Sequence, residues 1–299
     1  MDLRGQKPIS ILARLYRLSL LALSAPIVLG EYFSADTGSE YGVGFGTKCA
    51  LAGKMLLNNM RIPTGSSFVE HLIIATKILN VPKETEGSVV ECGCYMGGST
   101  ANLSLVAGRC DRRLDVFDSF EGMPEPAEGD RSHVLIGSRE VHTYDEGSWR
   151  GSLEAVRRNV AAFGDISACT FHEGYFEDTM EDFDEPVTLA FLDVGLRASA
   201  ETCLEHLWPL LSREGYLFTH DVKHMEIASL FFDNEWWREH LDRDAPGVIG
   251  AGSGIGLHPK SNGFGSLLGY TVKEPRLHAF KEVAEEGAGT YRLRASTDD

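Results

Sequence analysis

Apolar residues at Phe68, Leu72, Ile73, Ala75 and Leu79 fall on one helical face, which predicts a helix over 67–80 that Val81-Pro82 ends. Beyond it, short apolar runs alternate with longer periodic segments. The runs 88–91, 114–117, 168–171, 187–192 and 215–219 read as strands. The segments 99–107, 152–163, 199–211 and 224–240 read as helices, with Ser152 placed to cap its helix. This alternation predicts an α/β fold with a doubly wound, mostly parallel sheet covered by helices on both faces.

The N-terminal pattern is different. Ile11, Leu12, Leu15, Leu18 and Leu21-Ala22 recur at helical spacing, and the uncharged run Leu18 to Leu29 is 12 residues long. A bilayer span needs about 20. Arg14 and Arg17 flank an apolar region as in an export signal, but no small-x-small cleavage site follows. The expectation is an amphipathic helix packed on the body or on a partner subunit, with no transmembrane segment. Residues 1–85 are thus expected to form an N-terminal helical extension or lid, and 86–299 the ligand-binding domain. The glycine-rich run Tyr41 to Gly46 is expected to act as a hinge, and the molecule to be a homodimer. The stretch Gly247 to Gly269, also rich in glycine, reads either as a final strand pair or as a flap.

Composition narrows the partners. A chain of 299 residues with 43% hydrophobic residues can bury a sizeable core. Its net charge of -16 would repel a phosphate backbone, and no basic run exceeds the pairs Arg112-Arg113 and Arg157-Arg158. Nucleic acid is therefore not the expected partner, and a small molecule is. The six cysteines lack metal-site spacing, so they are expected to be reduced in a cytoplasmic setting.

In a doubly wound sheet, ligands lie beyond the carboxyl ends of the strands. The candidates there are Glu91, Asp118, His172-Glu173, Asp193 and His220-Asp221. The first strand runs into "VVECGCYMGGST", an acid followed by three glycines. Gly97-Gly98-Ser99-Thr100 has no lysine for a nucleotide phosphate, and the glycine spacing is not that of a dinucleotide turn. An acid here would repel pyrophosphate but favour the sulfonium and ammonium of S-adenosylmethionine. Gly93 would let the backbone approach that ligand, and Asp118 would accept from its ribose hydroxyls. A NAD-type oxidoreductase and a non-catalytic S-adenosylmethionine-binding protein are the alternatives.

The phrases "VVECGCYMGGSTANL", "LDVFDSFEGMPEP", "FHEGYFEDTM" and "LAFLDVGLRASAETCLEHLWPLLSREGYLFTHDV" occur in that order. Together they resemble the macrocin O-methyltransferase (TylF-like) family over roughly residues 10 to 225. The resemblance implies a Rossmann-like class I methyltransferase fold and methylation of hydroxyls on the sugars of natural products. It implies that Glu91, Gly93, Gly97, Gly98, Ser99 and Thr100 surround the methionine part of the cofactor. Asp118 and Ser119 would meet the ribose, and Glu173, Gly174, Tyr175 and Phe176 would border the adenine.

The resemblance also implies a magnesium site of Asp-x-Asp after the fourth strand and Asp-Asp after the fifth. This chain has Asp193 with Gly195, and His220-Asp221. Asp193, His220 and Asp221 are accordingly the candidates both for catalysis and for a metal, with His224 nearby in sequence. Either a divalent metal persists on altered ligands and orients the substrate hydroxyl, or the metal is lost and His220 is the general base.

Overall fold

The computed structural model describes residues 16, 29–127, 130, 132–133, 141–142, 144–248 and 268–274. The chain enters through a short helix, α1 (Gly30–Phe33), then α2 (Phe45–Arg61) and α3 (Phe68–Leu79). β1 (Ser88–Cys92), α4 (Gly98–Ala107) and β2 (Leu114–Asp118) follow. A small hairpin, β3 (Ser132–His133) and β4 (Val141–His142), precedes α5 (Leu153–Phe163), β5 (Cys169–Glu173) and α6 (Phe176–Thr179). β6 (Val187–Leu192), α7 (Arg197–Leu210), β7 (Leu211–Thr219), α8 (Met225–Leu230), α9 (Asn234–Leu241) and β8 (Gly269–Val272) complete the described chain.

The main sheet has the order β5-β2-β1-β6-β7-β8. Every pairing in it is parallel except β7 with β8. β1, β2 and β6 are buried along their whole length, as expected of central strands covered on both faces. From β1 the chain winds outward to β2 and β5, then returns to β6 and winds the other way. The order therefore reverses between β1 and β6, where a doubly wound sheet opens its binding crevice.

Two cores flank the sheet. One joins Leu51, Met55, Leu72, Ile74 and Ile78 of α2 and α3 to Leu103 of α4 and to Val89, Val116 and Phe191 of the strands. The other packs α7, α8 and α9 through Leu204, Leu207, Leu230 and Trp237 against Val90, Phe117 and Leu192. Helices from the N-terminal extension thus share a core with the sheet. α3 begins with a capping box, in which Ser67 and Glu70 satisfy one another's backbone N–H groups.

Several boundaries differ from the sequence reading. The glycine-rich run 41–46 leads straight into α2, whose first turn contains Gly46. The helix expected over 224–240 is two helices, because Asp233 accepts from the Trp236 N–H at 3.1 Å and caps a new start. The strand expected at 215–219 begins at Leu211, immediately after α7. Of the apolar N-terminal stretch to Leu29 expected as a helix, only Tyr16, which is helical and exposed, and Leu29 itself fall within the described residues. Most of the stretch 247–269 also lies outside them; its last residues lead into β8.

Candidate active site

The turn after β1 is held in a conformation that its glycines permit. Gly93 has φ +83°, and a β-carbon there would lie 2.2 Å from the Asp193 carbonyl oxygen. Gly97, at φ +79°, is the residue before α4, and a β-carbon on Gly98 would meet the Thr64 side chain at 2.8 Å. Asp118, at the end of β2, clamps this turn. Its Oδ2 accepts from the N–H groups of Cys94 at 2.7 Å and Tyr95 at 3.3 Å, and its Oδ1 accepts from Phe120 N–H at 2.7 Å. Burial nevertheless raises the Asp118 pKa, outweighing the amide donors that would lower it.

Glu91 lies beneath the turn with no solvent exposure and both carboxylate oxygens outside hydrogen-bonding geometry. Burial pushes its pKa up to about 7, against the pull of the nearby Ser99 and Thr100 hydroxyls. Ser119 donates to the Gly122 carbonyl at 2.7 Å. The Gly174 N–H donates to the Asp118 carbonyl at 3.1 Å, which ties the end of β5 to the end of β2. His172 is engaged elsewhere, with Nε2 3.0 Å from Asp115 Oδ1 and its ring stacked on Phe117.

The ends of β6 and β7 bring a second group together. His220 is buried, with Nδ1 3.4 Å from Asp193 Oδ1 and Nε2 3.4 Å from Glu70 Oε2. Burial would lower the pKa of this imidazole, but the two carboxylates lift it to about 10. Burial likewise raises the Asp193 carboxyl, yet the His220 charge and contact hold it below the usual carboxylate range. Asp221 turns away to brace the loop after β6: its Oδ2 accepts from the N–H groups of Val194 and Gly195, both at 2.9 Å.

The cleft between these two groups is lined by Gly93, Ser99, Asp118 and Ser119 on the β1–β2 side. Gly174, Tyr175 and Phe176 line it near β5, and Asp193, His220 and Asp221 at the β6–β7 end. Glu91, Gly97, Gly98, Thr100 and Glu173 lie outside that lining. Sequence reasoning missed Met123, Tyr144, Trp149 and Lys223, which complete the wall. Trp149 sits edge-to-face on Tyr95 at 5.2 Å, and Tyr144 Oη is 3.1 Å from His224 Nε2. Tyr144 and Trp149 follow no period, so the sequence offered no signal for them beyond the aromatic content of "HTYDEGSW", while Met123 falls within the quoted phrase "LDVFDSFEGMPEP" and Lys223 just after His220-Asp221.

Asp193, His220 and Asp221 do not fit a divalent ion in this arrangement. Both ring nitrogens of His220 face carboxylates, and an Asp221 oxygen is committed to two amides. Gly195 has φ +70°, and a β-carbon there would lie 2.5 Å from Met123 Cε and 3.1 Å from the Tyr144 ring. A second acid at this position would be strained by the left-handed backbone and would have to displace the Met123 methyl and the Tyr144 ring edge. Among the described residues, no group of three or more His, Cys, Asp or Glu side chains is placed to hold a metal.

Comparison with known proteins gives three results. The family model for macrocin O-methyltransferase (TylF) matches residues 64–243. A tetracenomycin 4'-O-methyltransferase of Streptomyces olivaceus, acting on an 8-demethyl-8-(2,3-dimethoxy-α-L-rhamnosyl) form, is 34% identical over 140 residues, 45% of this chain. That match spans about half, 52%, of the relative's own length. Among solved structures, the O-methyltransferase NovP is 19% identical with a TM-score of 0.47, the match covering 88% of this chain and 100% of that one. The calicheamicin methyltransferase CalS11 is 15% identical with a TM-score of 0.43, covering 91% and 96%.

Proposed function

The chain belongs to the macrocin O-methyltransferase (TylF) family, and on that premise we propose that it transfers a methyl group from S-adenosylmethionine to a hydroxyl of a small, glycosylated metabolite. The observation that supports the reading is the contact of the Gly93 turn with Asp193, which puts the glycine turn beside the Asp193–His220 pair. The orphaned Glu91 carboxylate supports a cationic cofactor, because a positive charge near the turn offsets the cost of burying that acid.

In this reading Gly93 and Ser99 border the methionine part, with Gly97, Gly98 and the buried Thr100 shaping the turn from behind the cleft lining. Asp118 and Ser119 meet the ribose, since Asp118 Oδ1 accepts from one amide and keeps a further acceptor lobe, whereas Oδ2 already accepts from two. Gly174, Tyr175 and Phe176 border the adenine, with Glu173 outside the cleft lining. When bound, S-adenosylmethionine supplies a methyl already activated on a sulfonium. The protein's share is alignment and proton removal. Asp193, ionised and open to the cleft, takes the proton from the acceptor hydroxyl. His220, held cationic between two carboxylates, keeps Asp193 ionised and is not the resting base. Asp221 fixes the loop that carries Asp193. Met123, Tyr144, Trp149 and Lys223 form the acceptor wall.

We also read the molecule as a homodimer in which residues 1–85 cover the site. Phe45, Leu56, Leu57 and Met60 of α2 are exposed apolar side chains, which supports burial against another surface. All six cysteines are free, which supports a reducing, cytoplasmic setting. Among the described residues, no helix is long and apolar enough to cross a membrane.

The test is calorimetry with S-adenosylhomocysteine, followed by mass spectrometry of glycosylated acceptors incubated with S-adenosylmethionine. Saturable binding and a gain of one methylene are expected. Binding of NAD in place of S-adenosylhomocysteine would favour an oxidoreductase. Cofactor binding without methylation of any acceptor would favour a non-catalytic binding protein.

A further inference from the structure

Glu70 lies in the first turn of α3, far along the chain from the strand ends, and it is 4% exposed. Its Oε2 accepts from Ser67 N–H at 2.8 Å and Ser67 Oγ–H at 2.9 Å, which completes the helix cap. The same oxygen faces His220 Nε2 at 3.4 Å.

A cap needs only an acceptor, and glutamine serves as well as glutamate at this position of a capping box. A buried carboxylate is far costlier than a buried amide unless a cation lies against it. The neighbouring imidazole, His71, does not supply that cation. Its Nδ1 accepts from the Asn102 side-chain amide at 2.8 Å and its Nε2 meets Ser66 Oγ at 2.7 Å, and burial lowers its pKa to about 4. The imidazole that does face the Glu70 carboxylate as an ion-pair partner is His220, at 3.4 Å.

His220 is itself fixed at the backbone, where its N–H donates to Leu192 O at 2.8 Å. Its ring spans the gap between α3 and the end of β6, with Nε2 3.4 Å from Glu70 as a charge contact outside hydrogen-bonding geometry and Nδ1 3.4 Å from Asp193. We propose that Glu70 is a positioning residue for the methyl transfer: its carboxylate holds the Nε2 side of the His220 ring so that Nδ1 stays on Asp193. The inference rests on the reading of Asp193 as proton acceptor given above. It makes α3 part of the working site, although Glu70 does not line the cleft.

Glu70→Gln keeps an oxygen for Ser67 and removes the charge that faces His220. With S-adenosylmethionine and an acceptor that the parent methylates, this variant should lose kcat by roughly tenfold or more while KM for both substrates changes by less than about threefold. Its Tm should stay within about 3 °C of the parent, because the cap survives. In a His220→Asn background the same substitution should change kcat by less than about twofold, since the path from Glu70 to Asp193 is already broken. Glu70→Ala should lose both Tm and kcat.

A Glu70→Gln enzyme with parental kcat, beside an active parent, overturns the inference and leaves the parent reading standing. Equal losses from Glu70→Gln in the parent and in the His220→Asn background also overturn it. A parent chain that binds S-adenosylhomocysteine but methylates nothing overturns the parent reading, and the inference falls with it.

Discussion

Gly93 and Asp193 meet backbone to backbone: a β-carbon on residue 93 would lie 2.2 Å from the Asp193 carbonyl oxygen, at a φ of +83°. This contact joins the cofactor turn to the loop that carries Asp193, so a disturbance on one side is felt on the other. Gly93→Ala adds both strain and a collision with backbone that cannot swing aside. It should cost about 2–4 kcal/mol of stability and abolish S-adenosylhomocysteine binding, read by thermal melts and calorimetry. A Gly93→Ala chain with parental affinity would show that the two loops separate freely.

Asp118 accepts from three backbone amides, so Asp118→Asn must point its NH2 group at one or two N–H donors. The expected cost is about 1–3 kcal/mol of stability, with cofactor affinity falling in parallel. Asp118→Ala removes every acceptor and should weaken S-adenosylhomocysteine by at least about tenfold. Titration calorimetry on both variants checks the order.

Glu91 has a folded-state pKa of about 7, above the ordinary value of 4.5. Between those two pH values the folded chain binds the extra proton, so the stability of the ligand-free protein should fall as pH rises through that window. The loss reaches about 3.5 kcal/mol at most, from about 1.4 kcal/mol per pH unit. Glu91→Gln should flatten the profile and melt higher than the parent at a pH of about 8, above the window. Melting curves across the window with no gain for the variant would refute the assignment.

The donor geometry around Asp193, His220 and Asp221 predicts that chelation leaves methyl transfer within about twofold of the untreated rate. Activity that disappears with chelator and returns with magnesium would show that the cluster rearranges around an ion.

The central strands were legible because β1, β2 and β6 are short apolar runs with both faces covered, each leading into a polar residue at its carboxyl end or within the turn beyond. The strand-end rule then placed Asp118, Asp193 and His220 at one edge of the sheet before any distance was known. α2 was hidden by Gly46 and Gly53, which dilute an amphipathic pattern that tertiary packing nevertheless selects. Glu70 was hidden for a different reason. Ser67-x-x-Glu70 reads completely as a helix-start signal, and nothing local announces a second partner far along the chain at His220. Tyr144 and Trp149 lie in a connection whose path no periodicity describes.

The Asp118 clamp also bears on variation around the cleft. Its three amide bonds reach across the turn after β1 and the exit of β2, so that wall of the cleft is shaped by the sheet before any ligand arrives. Little ordering is left to be done on binding, and affinity on that side is correspondingly insulated from changes elsewhere. Met123, Tyr144 and Trp149 come instead from the long connection between β2 and α5. A substitution at Met123 reshapes the wall they form while the three amide bonds of the clamp stay in place, whereas Trp149, packed on Tyr95, is where the connection touches the clamp.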